Sequence, residues 1–136
     1  MDQITERTDL QERLWRARRF MDERYDLPLD LAEISKQAGL SPYHFLRLFR
    51  GAFNTTPHQY LIQRRIAKAK ELLRLCSLSV TEVCFEVGFQ SLGSFSSLFH
   101  KCVGATPVAY RLQERQSLKK VHGCFIKMFG LGTPIK

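Results

Sequence analysis

One phrase occurs twice in this chain. Thr-Pro-x-x-Tyr falls at Thr56, Pro57 and Tyr60, and again fifty positions on at Thr106, Pro107 and Tyr110. Threonine is a good helix N-cap, and proline at the first helical position loses nothing by lacking an N–H. Each copy therefore reads as a helix start, and the residues before each copy repeat as well.

Upstream of the first phrase, "SPYHFLRLFRGAF" puts Phe45, Leu48, Phe49, Ala52 and Phe53 on one helical face. Upstream of the second, "SLGSFSSLFHKCV" puts Phe95, Leu98, Phe99, Cys102 and Val103 on the matching face. Each run opens on a capping serine, Ser41 or Ser91. Further back, "DLAEISKQAGL" and "SVTEVCFEVGF" are short helices with capping-box spacing at Asp30/Glu33 and Ser79/Glu82. Both end at a glycine, Gly39 or Gly88, suited to the left-handed turn that stops a helix. The offset is 49 residues from Gly39 to Gly88 and 50 from Phe45 to Phe95, so the second copy carries one extra residue near Gln90.

Helix, tight glycine turn, helix and the start of a third helix is a helix-turn-helix, here written twice. Runs that read as strands are scarce, while apolar residues recur at helical spacing almost throughout. The expected fold is all-α, with two helix-turn-helix subdomains joined by a long linker helix, about seven helices in all. The first unit spans about 9–56, the linker about 57–76 and the second unit about 77–113, together making a domain over 1–113. The linker "PHQYLIQRRIAKAKELLRLC" carries Ile62, Ile66, Ala69, Leu73 and Cys76 on one stripe. At about 1.5 Å per residue it spans ~30 Å. The predicted core comprises Leu14, Leu31, Ile34, Phe45, Phe49, Ile66, Leu73, Val83, Phe95 and Phe99.

Charge narrows the function. The 136 residues carry 21 Lys and Arg against 13 Asp and Glu, a net charge of +8, which favours an acidic partner. From Ile34 to Lys70 there are Lys36, Arg47, Arg50, Arg64, Arg65, Lys68 and Lys70 and no carboxylate, and from Val87 to Gln113 carboxylates are absent again. A solvated face usually mixes both signs, so these two windows read as phosphate-facing surfaces. They coincide with the second helix of each unit, the one a helix-turn-helix lays in the major groove. Its outward positions are Tyr43, Leu46, Arg47 and Arg50 in the first unit, with arginine able to pair bidentately with guanine. In the second unit they are Gly93, Ser96, Ser97 and His100, a weaker face. One turn of B-DNA is about 34 Å, so the linker length suits two reading helices in successive major grooves.

Other functions fit less well. His44, His58, His100 and His122 lack metal-ligand spacing, and neither a nucleophile elbow nor a glycine-rich phosphate loop is present, so no enzyme, metal or cofactor is expected. Cys76, Cys84, Cys102 and Cys124 are widely spaced, with three at apolar helical positions, and read as reduced, packed thiols. No apolar run approaches the ~20 residues of a membrane span. The rival reading is a basic helical protein-interaction module without sequence-specific DNA binding.

Residues 80–111, "VTEVCFEVGFQSLGSFSSLFHKCVGATPVAYR", closely resemble the signature of AraC/XylS-type transcription regulators, matching it at Gly88, Phe89, Phe95, Phe99, Gly104, Thr106, Pro107, Tyr110 and Arg111. The upstream "LAEISKQAGLSPYHFLRLFRGAFNTTPHQYLIQRR" resembles the family's first unit, and coverage runs from about Leu10 to Gln113. The resemblance implies a bacterial, cytoplasmic regulator that binds double-stranded promoter DNA and activates transcription through RNA polymerase. The family's base contacts carry over to the two outward faces already named. Expected phosphate contacts are Ser41, Arg64, Arg65, Ser91, Lys101 and Arg111. Members often place a long polar or basic residue where this chain has Ser97, which shifts the second unit toward phosphate positioning through the helix start at Ser91 and through Lys101.

Most members also carry a sensing or dimerisation domain, for which this sequence has no room, and no small-molecule effector is evident. The chain is either a stand-alone regulator or a domain of a longer protein. The tail over 114–136 lies outside the family pattern. Its Gly123, Gly130, Gly132 and Pro134, and an apolar knot at Cys124, Phe125, Ile126, Met128 and Phe129, read as a mobile end with a sticky patch, the alternatives being a segment packed back on the domain or the stub of a further one, and no amphipathic helix of useful length emerges around the glycines.

Overall fold

A computed structural model describes residues 2–129, with side chains described from Gln3 to Leu118. It contains seven helices: α1 Asp2–Arg24, α2 Leu31–Gln37, α3 Pro42–Phe53, α4 Pro57–Leu75, α5 Val80–Glu86, α6 Leu92–Val103 and α7 Pro107–Phe129. No strand occurs among the described residues. The all-α fold with two helix-turn-helix units, α2–α3 and α5–α6, is therefore present.

Local chemistry sets the boundaries. Asp30 Oδ1 accepts from Glu33 N at 2.7 Å and Ser79 Oγ from Glu82 N at 3.0 Å, starting α2 and α5. Ser41 and Ser91 do the same for α3 and α6 by accepting from His44 N at 3.3 Å and Ser94 N at 3.1 Å. Thr56 and Thr106 cap α4 and α7 by accepting from Gln59 N and Ala109 N, and Pro57 and Pro107 are both buried. A reciprocal capping box forms at α4, where the Gln59 side chain accepts from Thr56 N at 3.2 Å.

The turns match too. Gly39 at φ 65 and Gly88 at φ 102 supply the left-handed residue, and the next residue's N–H reaches back to Ser35 O or Cys84 O. Asn54 and Gly104, both left-handed, cap α3 and α6 by donating their own N–H to Arg50 O and His100 O.

The units bury two separate cores that share α4. Leu14, Ala17 and Met21 of α1, Ile34 and Ala38, Phe45 and Phe49, and Leu61 of α4 form the first. The second takes Ile66, Ala69 and Leu73 from α4 together with Val83, Cys84, Val87, Phe89, Phe95, Phe99 and Tyr110. Each fully buried phenylalanine contributes about 1.5–3 kcal/mol of apolar transfer energy. The aromatic packing repeats as the sequence does. Phe45–Phe49 and Phe95–Phe99 are tilted pairs at 5.4 and 5.7 Å, and each run ends on a tyrosine set edge-on, Tyr60 against Phe49 and Tyr110 against Phe99.

Nine of the ten predicted core residues are buried, and Leu31 is half-buried against the first core. The inward faces of α3 and α6 are narrower than predicted: Ala52 and Cys102 are exposed, because both sit at the solvent edge of the last turn beside the fully buried Phe49 and Phe99. Cys84 is buried and Cys76 half-buried, so the thiols divide by environment. Helical backbone runs unbroken from Pro107 to Phe129 and passes through Gly123, so the first part of the tail beyond residue 113 continues α7. One glycine costs a helix interior only ~1 kcal/mol, and the strong Thr106–Pro107 start propagates past it. The apolar knot's side chains, and Gly130, Gly132 and Pro134, lie outside the described residues.

Candidate nucleic-acid interface

Burying Phe45 and Phe49 on α3 forces the opposite face outward. Tyr43, Leu46, Arg47 and Arg50, spaced i, i+3, i+4 and i+7, form one exposed row, with Tyr43 at 77% of its full accessibility. Arg47 and Arg50 make no ion pair among the described residues, which leaves both guanidinium forks open. On α6 the buried Phe95 and Phe99 turn out the corresponding row. Gly93, Ser97 and His100 are exposed there and Ser96 is half-buried. His100 and Lys101 occupy the last turn of α6, and Ser41 and Ser91 stand exposed at the starts of the two helices.

The three arginines expected at phosphates, Arg64, Arg65 and Arg111, all have intramolecular partners. Arg65 donates from Nε to Tyr25 O at 2.6 Å and from an Nη to Leu27 O at 2.9 Å. Burial pulls its pKa below the usual arginine value, with Asp26 opposing. Arg111 donates to Leu73 O at 3.1 Å and to Leu78 O, strapping α7 across the end of α4, and burial lowers its pKa as well. Arg64 Nε approaches Asp22 Oδ1 at 3.1 Å, a Coulombic contact without hydrogen-bond geometry. These side chains tie the scaffold together, whereas Arg47 and Arg50 on α3 and Lys101 on α6 are exposed and make no ion pair among the described residues.

Sequence reasoning missed the network behind them. The Tyr60 hydroxyl donates to Asp22 Oδ1 at 2.5 Å and accepts from Arg18 Nε at 3.0 Å. The Arg18 guanidinium packs over Trp15, Phe53 and Tyr60 at 4.8 to 5.0 Å, joining α1, α3 and α4. Burial and the Asp22 hydrogen bond raise the Tyr60 pKa. The repeat held a usable signal: Tyr60 and Tyr110 recur, as do Arg65 and Arg115, whose guanidinium donates to Cys76 O at 2.8 Å much as Arg65 clamps Tyr25 O.

Among the described residues no group of three His, Cys, Asp or Glu side chains is placed to hold a metal, and no helix is long and apolar enough to cross a membrane. Two linked helix-turn-helix units with basic, carboxylate-poor outer faces define a tandem DNA-binding domain.

Residues 34–113 match the profile of a family described as a helix-turn-helix domain, and the chain belongs to the AraC/XylS family of DNA-binding transcription regulators. It is 30% identical over 92 residues to the regulatory protein SoxS of Salmonella typhimurium, covering 68% of this chain and 86% of SoxS. It is also 30% identical over 97 residues to the virulence regulon transcriptional activator VirF of Yersinia enterocolitica, 71% of this chain but 36% of VirF. The chain thus spans little more than a third of VirF and of the Photobacterium leiognathi protein LumQ, a probable transcriptional regulator. Its fold superposes on the DNA-binding domain of AdpA, solved in complex with a target DNA, with a TM-score of 0.74 at 30% identity, covering 76% of this chain and 94% of that one. An AraC-type regulator from Chromobacterium violaceum gives 0.71, also at 30% identity, over 78% and 95% of the two chains.

Proposed function

We propose that this domain reads an asymmetric promoter site as a monomer, with α3 and α6 in successive major grooves on one face of the duplex. The observation that carries the reading is the exposed row Tyr43, Leu46, Arg47 and Arg50 on a helix whose other face is locked by Phe45 and Phe49. In this reading Arg47 and Arg50 take guanine edges bidentately, each worth about 1–3 kcal/mol of discrimination, and Tyr43 and Leu46 meet thymine methyls. Gly93, Ser96, Ser97 and His100 face the second groove with little side-chain reach, which makes the first unit the principal reader. Backbone positioning falls to the helix starts at Ser41 and Ser91 and to Lys101.

The 19-residue α4 gives the two units a separation of ~28 Å at about 1.5 Å per residue, within reach of one helical turn of DNA. The regulator acts as an activator in contact with RNA polymerase, a reading supported by the likeness to an activator of virulence genes. Hydroxyl-radical footprinting on a bound duplex tests the geometry. Two protected patches on one face, about 10 base pairs apart, support it; a single patch under α3 alone overturns the role given to α6.

A further inference from the structure

Helix α4 packs against α1, α3, α5, α6 and α7 and is the common support of both units. The two units also meet directly, at the Arg65 side chain. Through Nε and Nη this residue holds Tyr25 O and Leu27 O, in the loop between α1 and α2 of the first unit. Its guanidinium lies 5.8 Å from the ring centroid of Phe89, in the turn between α5 and α6 of the second. Gly88 of that turn sits so close that a Cβ added to it would come 2.8 Å from Tyr25 O, 3.0 Å from Arg65 Nε and 3.0 Å from Asp26 Cα. At φ 102 glycine is also the residue this backbone accepts without strain.

Comparison with the second copy isolates what is special here. Arg115 occupies the same repeat position and clamps Cys76 O, yet it is exposed. The arginine at this position closes a unit in both copies. In the first copy a second unit has been seated on it.

We propose that Arg65, with Gly88 packed against it, is a positioning residue that fixes the orientation of α6 relative to α3 and so selects the half-site spacing the domain accepts. A helix that lends one face to each of two small cores sets their separation, but each unit can rock on its own packing. A second strut between the α1–α2 loop and the α5–α6 turn removes that freedom. The consequence for DNA is steep, because one base pair of spacing moves the second groove by about 3.4 Å and rotates it by about 35°.

The inference rests on the two-groove reading, so its test has one arm without DNA. Residual dipolar couplings are measured on the whole chain for the wild type, Arg65→Gln and Arg65→Lys; lysine keeps the charge but cannot span both carbonyls. The expected result is that one alignment tensor fits both units of the wild type, while at least one folded variant, judged by a dispersed amide spectrum, needs two. In the second arm, duplexes carry the preferred site with its halves one base pair closer, unchanged or one farther. Wild-type affinity should fall about tenfold or more on either change and the variant's by less than about threefold. A single shared tensor in both folded variants, or uniform weakening with the spacing preference intact, overturns the proposal. Indifference of the wild type itself to spacing refutes the two-groove reading instead, and the couplings then still decide whether Arg65 orients the units.

Discussion

Tyr60 stands edge-on to Phe49, with ring centroids 6.0 Å apart and planes at 71°, and the same pair recurs fifty positions later as Tyr110 on Phe99 at 5.5 Å and 69°. Each pair ties the first turn of a closing helix, α4 or α7, to the buried face of α3 or α6. Truncating the phenylalanine removes the anchor that holds the opposite row outward. Phe49→Ala and Phe99→Ala should each cost about 3–5 kcal/mol of unfolding free energy, measured by chemical denaturation. A loss below about 1 kcal/mol at either site would show that the face is not held this way.

The two tyrosines differ at their hydroxyls, since Tyr60 bonds Asp22 and Arg18 while Tyr110 has no hydrogen-bonding partner among the described residues. Tyr60→Phe should therefore cost about 1–2 kcal/mol and Tyr110→Phe less than about 0.5 kcal/mol. Burial, and then the bond to Asp22, raise the Tyr60 pKa, so the folded state keeps a proton that the unfolded chain releases. That contribution is fully present below the unfolded tyrosine value of about 10 and is lost as pH rises through the higher folded value. Unfolding free energies measured from about pH 8 to 11 should fall in the wild type and fall less in Tyr60→Phe.

Gly51 lies within α3, exposed, and a Cβ added there meets nothing within 4 Å. Gly51→Ala should raise stability by about 0.5–1 kcal/mol by removing unfolded-state freedom, read as a higher melting temperature. Gly88→Ala should do the opposite, given the backbone oxygen at 2.8 Å from the added atom.

Salt separates surface cations from scaffold cations. Lys101→Ala should reduce the slope of log affinity against log salt by about 0.9, the loss of one phosphate contact, with little change in stability. Arg111→Gln should lower the melting temperature and leave the slope alone, because its guanidinium holds Leu73 O and Leu78 O. The reverse pattern would return Arg111 to the phosphate-facing set.

Helix ends and core faces were legible in the sequence because their causes are local. Ser41, Ser79, Ser91, Thr56 and Thr106 each cap a helix through an N–H three residues away, and the spacing is visible on the page. The intramolecular partners of Arg65 and Arg111 were not legible because their acceptors are backbone carbonyls 33 to 40 residues distant, and no residue type announces a carbonyl. Comparing the copies separates the two kinds of position. Phe45/Phe95, Phe49/Phe99, Tyr60/Tyr110 and Arg65/Arg115 are identical and belong to the scaffold, whereas Tyr43/Gly93, Leu46/Ser96, Arg47/Ser97 and Arg50/His100 all differ. The helical continuation to Phe129 was hidden by Gly123 and by the absence of a clear apolar stripe.

Selection of bound duplexes from a random-sequence pool, sequenced for the wild type and for Arg47→Ala, tests the central claim most directly. The account predicts an asymmetric motif whose stronger half lies under α3 and loses its preference in the variant, while the weaker half is unchanged. Absence of any enriched motif across salt concentrations, or a motif indifferent to Arg47, would contradict sequence reading by this face.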